Sequence, residues 1–370
     1  MDALDIGRIV LGLVVLVGGG ELLVRGASGL AARWGLSPLV VGLTVVAIGT
    51  SAPEFAVTVG AVLRDESDLA VGNVVGSNIA NVLLVLGLAA IVLPLAVKRQ
   101  LVRFDVPVMI VLSIVFLVCA FDGVISTTDA MLLLALWLIH TASTIVLSRR
   151  EAESSNEGSD EASTPKVLTC LLLLFAGIAL LVVGANQLVT GAVNIATSLG
   201  VDGLVIGLTV VAVGTSLPEL VTSLVAAIRG ERDIAIGNVV GSCIANIGLV
   251  LAVPAFFANG GISVAPAAIS LDIPLMVAAA LAVLPIVFTG FTVQRWEGAL
   301  FVALYLAYTA YLVLNATAHD ALTGFSQTMV FLVLPLIALT VVATVIYDLH
   351  RRTASAAIGN EARSASEQQD

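Results

Sequence analysis

Charge is what this sequence has least of. Acidic and basic side chains make up 11% of its 370 residues, against about 25% in ordinary globular chains. A soluble surface is not built from so few, and the net charge of −10 gives no footing to a nucleic-acid partner. Cysteine is sparse too. Cys119, Cys170 and Cys243 fall in apolar stretches at unrelated spacings, so neither a disulfide framework nor a zinc site follows, and each reads as a small buried hydrophobe. The three histidines (His140, His319, His350) are scattered, which leaves no His/Cys cluster for zinc or copper. There is no HExxH motif and no nucleophile–histidine pairing, so neither an enzyme nor a bound cofactor is expected. The first apolar run has no basic stretch ahead of it and no clear cleavage site after it. It reads as a first span and not as a removed signal.

What the sequence has in excess is apolar length. Hydrophobic residues make up 59%, mean hydropathy is +1.10, and runs of roughly 20 apolar residues recur throughout. The fold class expected is an all-α polytopic membrane protein, with spans near 6–24, 36–63, 69–95, 104–121, 127–147, 167–189, 201–228, 234–257, 270–290, 296–315 and 327–347. A polar, Ser/Glu-rich segment at 149–166 has a disorder-type composition and separates two groups of five spans. The expected organisation is a first repeat at 1–148, an acidic linker at 149–166, a second repeat at 167–315, and an eleventh C-terminal span with a polar tail at 316–370.

Orientation follows from the few positive charges. With the N-terminus outside, Arg25, Arg33, Lys98, Arg99, Arg103, Arg149, Arg150, Lys166, Arg229, Arg232, Arg295, Arg351, Arg352 and Arg363 fall inside, and Arg8 and Arg64 fall outside. Cytoplasmic loops carry such an excess, so the linker and the tail are placed in the cytoplasm and the bilayer is the cell membrane. Five spans per half is an odd number, so the second half enters upside down. Arg25 and Arg33 belong to an inside loop, while their repeat mates Thr190 and Ser198 belong to an outside one. Inverted-topology repeats are a transporter architecture.

The duplication itself is explicit. Residues 42–81 and 207–246 share 25 of 40 positions at a constant offset of 165, without a gap. Each copy puts a Gly-Thr-Ser break, a proline and a glutamate inside an apolar run. Pro53 has no N–H and its ring clashes with the carbonyl of Gly49, so carbonyls near Ala47 to Thr50 are expected to leave the helical ladder. At membrane depth such backbone survives where it lines a cavity or binds something. Ser51 and Glu54 are three apart and share a helical face; Ala212, Thr215, Ser216, Pro218 and Glu219 repeat the arrangement. A companion run, Gly-Asn-Val-Val-Gly-Ser, occupies 72–77 and 237–242. Ser77 and Asn81 share a face, as do Ser242 and Asn246, and Gly72 and Gly76 would admit a close helix. Brought together, these residues form an oxygen cage of charge −2, which suits a hard cation such as Ca²⁺. A lone intramembrane Ser or Asn is usually helix-to-helix glue, and Pro107, Pro274 and Pro335 read as simple kinks. It is the duplication that lifts these motifs above that reading. Glu21 has Asn186 as its mate, which leaves open whether it is structural or lines the access path. Asp105, Asp122, Asp129, Asp202 and Asp272 sit at span ends and read as interfacial.

On the two Gly-Thr-Ser-x-Pro-Glu runs (49–54, 214–219) and the two Gly-Asn-Val-Val-Gly-Ser runs, the chain resembles the sodium/calcium exchanger branch of the calcium/cation antiporter superfamily. The resemblance covers roughly residues 1–315. It implies alternating access with cytosolic Ca²⁺ expelled against inward Na⁺. It implies ion-binding roles for Ala47, Thr50, Ser51, Glu54, Ser77 and Asn81, and for Ala212, Thr215, Ser216, Glu219, Ser242 and Asn246, with the two glutamates shared by Ca²⁺ and Na⁺. Calcium/proton relatives look like Gly-Asn-Ala-x-Glu at this place, so the Thr-Ser pairs favour sodium. Two departures stand out. Many relatives have aspartate where this chain has Asn246, and the amide argues against potassium coupling; Cys243 replaces the motif's usual Asn. A proton-coupled or K⁺-dependent antiporter and a cation channel remain the competing readings.

Overall fold

The computed structural model describes residues 3–154, 166–288 and 291–335. In lipid every backbone N–H and C=O has to be satisfied within its own segment, and the chain answers with helices almost throughout. They are α1 (Ala3–Trp34), α2 (Pro38–Thr50), α3 (Ala52–Leu63), α4 (Ser67–Val92), α5 (Leu101–Asp122), α6 (Thr127–Ser154), α7 (Val167–Ser198), α8 (203–215), α9 (Leu217–Ile228), α10 (Arg232–Ala255), α11 (268–288), α12 (Arg295–Ala316) and α13 (Ala321–Thr328). Seven of these are long and apolar enough to cross a membrane, and the bent pairs α2/α3 and α8/α9 bring the number to nine among the described residues. The apolar helix at 268–284 is shorter. Part of the expected eleventh span is seen as α13 and the turn Met329–Val333. The rest of that span, the tail after 335 and most of the linker lie outside the described residues.

Burial sorts the helices into a centre and a rim. The apolar stretches of α4 and α10 are 83% and 94% buried, while those of α1, α6, α7 and α12 are 28% buried or less. A helix that is hidden all round has no lipid face, so polar residues on it must serve one another or a ligand. The duplicated Gly-Asn-Val-Val-Gly-Ser runs lie on these two central helices.

The long rim helices α1 and α7 are held together by small residues. Gly12, Gly19 and Gly26 recur every seven positions on α1, and their repeat mates Gly177, Gly184 and Gly191 do so on α7. A β-carbon at any of the six would come within 2.6–2.9 Å of the partner helix backbone. This is the small-residue packing that lets membrane helices meet without a hydrophobic drive. The spacing was legible in the sequence as a heptad of glycines, although the motifs at 42–81 draw the eye first.

Two short antiparallel pairings tie the repeats at their edges: Leu95–Ala96 with Thr292–Val293, and Val124–Ile125 with Ile262–Ser263. Asp105 departs from the interfacial position expected of it. It is fully buried and bonds His140 Nε2 at 2.9 Å, with Thr144 at 3.4 Å and Phe104 stacked on the imidazole. An ionisable side chain that far from water needs a partner, and the histidine on the next span supplies it.

Candidate functional site

Both glutamate motifs break their helices. The α2/α3 pair bends by 45° and the α8/α9 pair by 58°, with Pro53 and Pro218 in the first turn of the second segment, a position that tolerates proline. The release of backbone is narrower than the sequence suggests. In the first copy the Ser51 N–H still bonds the Ala47 carbonyl at 3.0 Å. In the second, the Ser216 N–H turns to Gly214, and the Thr215 hydroxyl approaches the Ala212 carbonyl at 3.4 Å.

Side-chain contacts carry the site across the repeat boundary. Ser51 donates to Glu219 Oε1 at 3.2 Å. Thr50 donates to Asn238 Oδ1 at 3.0 Å and lies 3.5 Å from the Ser242 hydroxyl. Asn246 Nδ2 donates to Asn78 Oδ1 at 3.0 Å. Ala47 lies where it would meet a β-carbon on Gly241. Glu54 is buried. Ser77 and Asn81 flank Asn78 on α4 and are buried with it, and Ser216 is buried at the second break. Ten of the twelve expected residues are therefore buried, and five of them (Thr50, Ser51, Glu219, Ser242 and Asn246) take part in the contacts between the repeats. Ala212 is exposed and Thr215 half-buried.

Among the described residues, eleven buried side-chain N or O atoms have no hydrogen-bond partner, and seven belong to this set: both carboxylate oxygens of Glu54, Glu219 Oε2, Ser216 Oγ, Asn246 Oδ1, and Asn81 Oδ1 and Nδ2. Six of the seven are oxygens. Buried polar atoms are nearly always satisfied, and unpaired buried carboxylates are costly. The concentration of bare oxygens in one place is what a hard cation would complete. No group of three or more His, Cys, Asp or Glu among the described residues could hold a metal by itself. A cation held here therefore needs the hydroxyls and amides beside the two carboxylates.

The sequence reading passed over two asparagines that build the centre. Asn73 Nδ2 donates to the Glu54 carbonyl at 3.1 Å and to Thr58 at 3.0 Å; Asn238 Nδ2 donates to the Glu219 carbonyl at 3.3 Å and to Ser223 at 3.0 Å. Each fastens a glutamate-bearing helix to the central helix of its own repeat. Their presence in both copies of the motif was the signal available. Wide π-type turns at Gly42–Val46, Ala80–Val85, Gly207–Val211 and Asn246–Leu251 adjoin the motifs in the same four helices, a distortion frequent at functional sites. Glu21 pairs with Arg25 at 2.7 Å and with Arg229 at the end of α9.

Fold and centre together define a polytopic helical membrane protein whose two related halves share one buried, oxygen-rich polar site. The family model described as "Sodium/calcium exchanger protein" matches the chain twice, over residues 4–146 and 169–314, and the chain belongs to that family. It is 38% identical over 280 residues to inner membrane protein YrbG of Escherichia coli, covering 72% of this chain and 84% of that one. It is 35% identical over 341 residues to sodium/calcium exchanger MaX1 of Methanosarcina acetivorans, covering 81% and 96%. Among solved structures it is similar to the sodium-calcium exchanger NCX_Mj, with a TM-score of 0.73 and 35% identity over 84% of this chain and 99% of that chain.

Proposed function

We propose that this chain is a secondary active antiporter that exchanges Ca²⁺ for Na⁺ across the cell membrane by alternating access, with calcium efflux as its working direction. The observation that carries the reading is the cluster of six unpartnered, buried oxygens on Glu54, Asn81, Ser216, Glu219 and Asn246. Two buried carboxylates give the cluster a charge a divalent cation can neutralise, and smaller Na⁺ charges can replace that cation on the same ligands. Thr50, Ser51, Thr215, Ser216, Ser77 and Ser242 supply hydroxyls to the site, and Ala47 and Ala212 supply carbonyls. The proposed organisation is two inverted repeats, 1–148 and 167–315, joined by a cytoplasmic linker and followed by an extra span and a cytoplasmic tail.

An antiporter also needs a centre reached from one side at a time. Ala47 and Thr50 are buried while their mates Ala212 and Thr215 are accessible. With the orientation indicated by the positive charges, the accessible side faces outward.

The test is Ca²⁺ flux in inside-out vesicles. Radiolabelled Ca²⁺ accumulates when an opposing Na⁺ gradient is imposed, with no K⁺ present. Uptake driven by a pH gradient alone assigns the chain to proton coupling, a requirement for K⁺ to potassium coupling, and flux indifferent to every counter-ion gradient to a channel.

A further inference from the structure

The two repeats agree at most polar positions of the centre, and one difference falls between its central helices. Asn78 on α4 has Cys243 on α10 as its mate. The consequence appears in the hydrogen bonds of the neighbouring amides. Asn78 Nδ2 donates to the Cys243 carbonyl at 3.2 Å, and Asn78 Oδ1 accepts from Asn246 Nδ2 at 3.0 Å. Asn78 is thus held by the backbone opposite and in turn holds Asn246. With its nitrogen bonded to Asn78, Asn246 is left with a bare, buried oxygen on the other fork of its amide.

The mirror-image arrangement fails for a chemical reason. By the repeat, Asn81 Nδ2 should donate to a side-chain oxygen at position 243. Cysteine has none; its thiol makes only the counterpart of the Asn78–Cys243 carbonyl bond, a long contact of 3.9 Å to the Asn78 carbonyl. A sulfur is a weak acceptor and reaches less far than an amide. Asn81 is 1% exposed, yet neither its nitrogen nor its oxygen has a partner. One amide of the pair is fixed by its neighbour; the other has no such tie.

We propose that Asn78 is a positioning residue that aims the Asn246 oxygen into the ion centre, and that Cys243 withholds the same service from Asn81. The cation then meets one preset amide ligand and one adaptable amide ligand. This rests on the exchanger reading, because it concerns the ligands of the exchanged ions. A ligand held by an outer partner binds more tightly than a loose one, since its ordering has already been met in the folded protein.

The experiment measures the KM for Ca²⁺ and the maximal rate of Na⁺-driven uptake in vesicles, and Ca²⁺ binding to the detergent-solubilised protein by titration calorimetry. Asn78→Cys releases Asn246 and raises the Ca²⁺ KM and Kd about 10-fold, the scale of lost outer-shell support. Cys243→Asn gives Asn81 its missing partner and lowers both about three-fold. The exchange of the two, Asn78→Cys with Cys243→Asn, restores one held and one free amide and returns both constants close to the original. A merely structural role for either side chain would not produce that return. If the asparagine at 243 does not fit, the Asn78→Cys binding curve decides alone. Constants unmoved by Asn78→Cys, or a double exchange no better than the worse single change, overturn the proposal. Failure of the unmodified chain to show Na⁺-driven uptake overturns the exchanger reading instead, and is told apart by requiring no variant at all.

Discussion

The two broken helices carry nearly the same residues and are packed differently. On one side α2 is pressed against α10. A β-carbon on Gly42 would meet the Ile234 carbonyl at 2.9 Å, one on Gly237 the Leu39 carbonyl at 2.8 Å, and one on Gly241 the Leu43 carbonyl at 2.5 Å. On the other side, α8 and α4 carry the mates Gly207, Gly72 and Gly76, and a β-carbon on any of these would meet nothing within 4 Å. Small residues that permit a close crossing are thus used in one half and idle in the other. The idle set has a physical reason to be there if the second crossing closes when the first opens. Two arrangements of one repeated surface are then the bistable element of the transport cycle. The close approach expected at Gly72 and Gly76 is correspondingly found at Gly237 and Gly241.

The largest effect should come where the two halves are chemically alike despite their different packing. The Glu54 carboxylate has no hydrogen-bond partner and that of Glu219 has Ser51, yet each provides one acid to the proposed site. Glu54→Gln and Glu219→Gln should both abolish Na⁺-driven Ca²⁺ uptake. Removing one partner of a buried charge cluster costs about 3–5 kcal/mol, a hundredfold or more in an equilibrium constant at about 1.4 kcal/mol per decade. Uptake normalised to the amount of protein in the membrane is the measurement. Robust transport by either variant would remove that glutamate as a ligand and leave the halves unequal in chemistry as well as in packing.

The glycines sharpen the comparison at intermediate size. Gly241→Ala forces a methyl group against the Leu43 backbone and should lower the apparent melting temperature in detergent, since overpacking costs about 1–3 kcal/mol. Gly76→Ala meets open space here, so the melting temperature should hold while turnover falls about tenfold. The same 1–3 kcal/mol is then charged to the opposite closure. Equal effects of the two changes on melting would mean that the open side is an ordinary gap and not the counterpart of the closed one.

Much of this was legible beforehand because the signal is of the kind sequence carries well. Long apolar runs and a constant offset of 165 each survive without coordinates, and they placed the broken helices and their glutamates. The asymmetry was not legible, since Gly42 and Gly207 sit in the same Gly-Leu-Thr-Val-Val pentapeptide. Only packing separates them. Asp105 was misplaced for a related reason: a span-end position says nothing about a histidine arriving from the next span. Asn73 and Asn238 were passed over because their partners, a helix carbonyl and a hydroxyl on the neighbouring helix, are fixed only by packing, and an amide in a motif looks like one more polar position.

The smallest effect tests an asymmetry that is written in the sequence. Arg229 and its mate Arg64 both end a glutamate-bearing helix, but Arg229 reaches Glu21 on α1 while Arg64 bonds Glu66 in its own loop at 3.1 Å. Position 186, the mate of Glu21, is Asn. An ion pair therefore ties α1 to α9 on the tightly packed side, and the open side has no acid at that place to form its equal. Glu21 and Arg229 are each about a third exposed, so the tie should be worth no more than about 0–1 kcal/mol. Glu21→Gln or Arg229→Gln should raise the population opened on the tight side by up to about fivefold. A cysteine at Thr44, buried on α2, reports that opening through its labelling rate with a membrane-impermeant maleimide in inside-out vesicles. The double change should be no faster than either single one, because both remove the same contact. Additive effects would show that the two residues act through different partners, Arg25 among them, and that the bridge between the repeats does not hold the side closed.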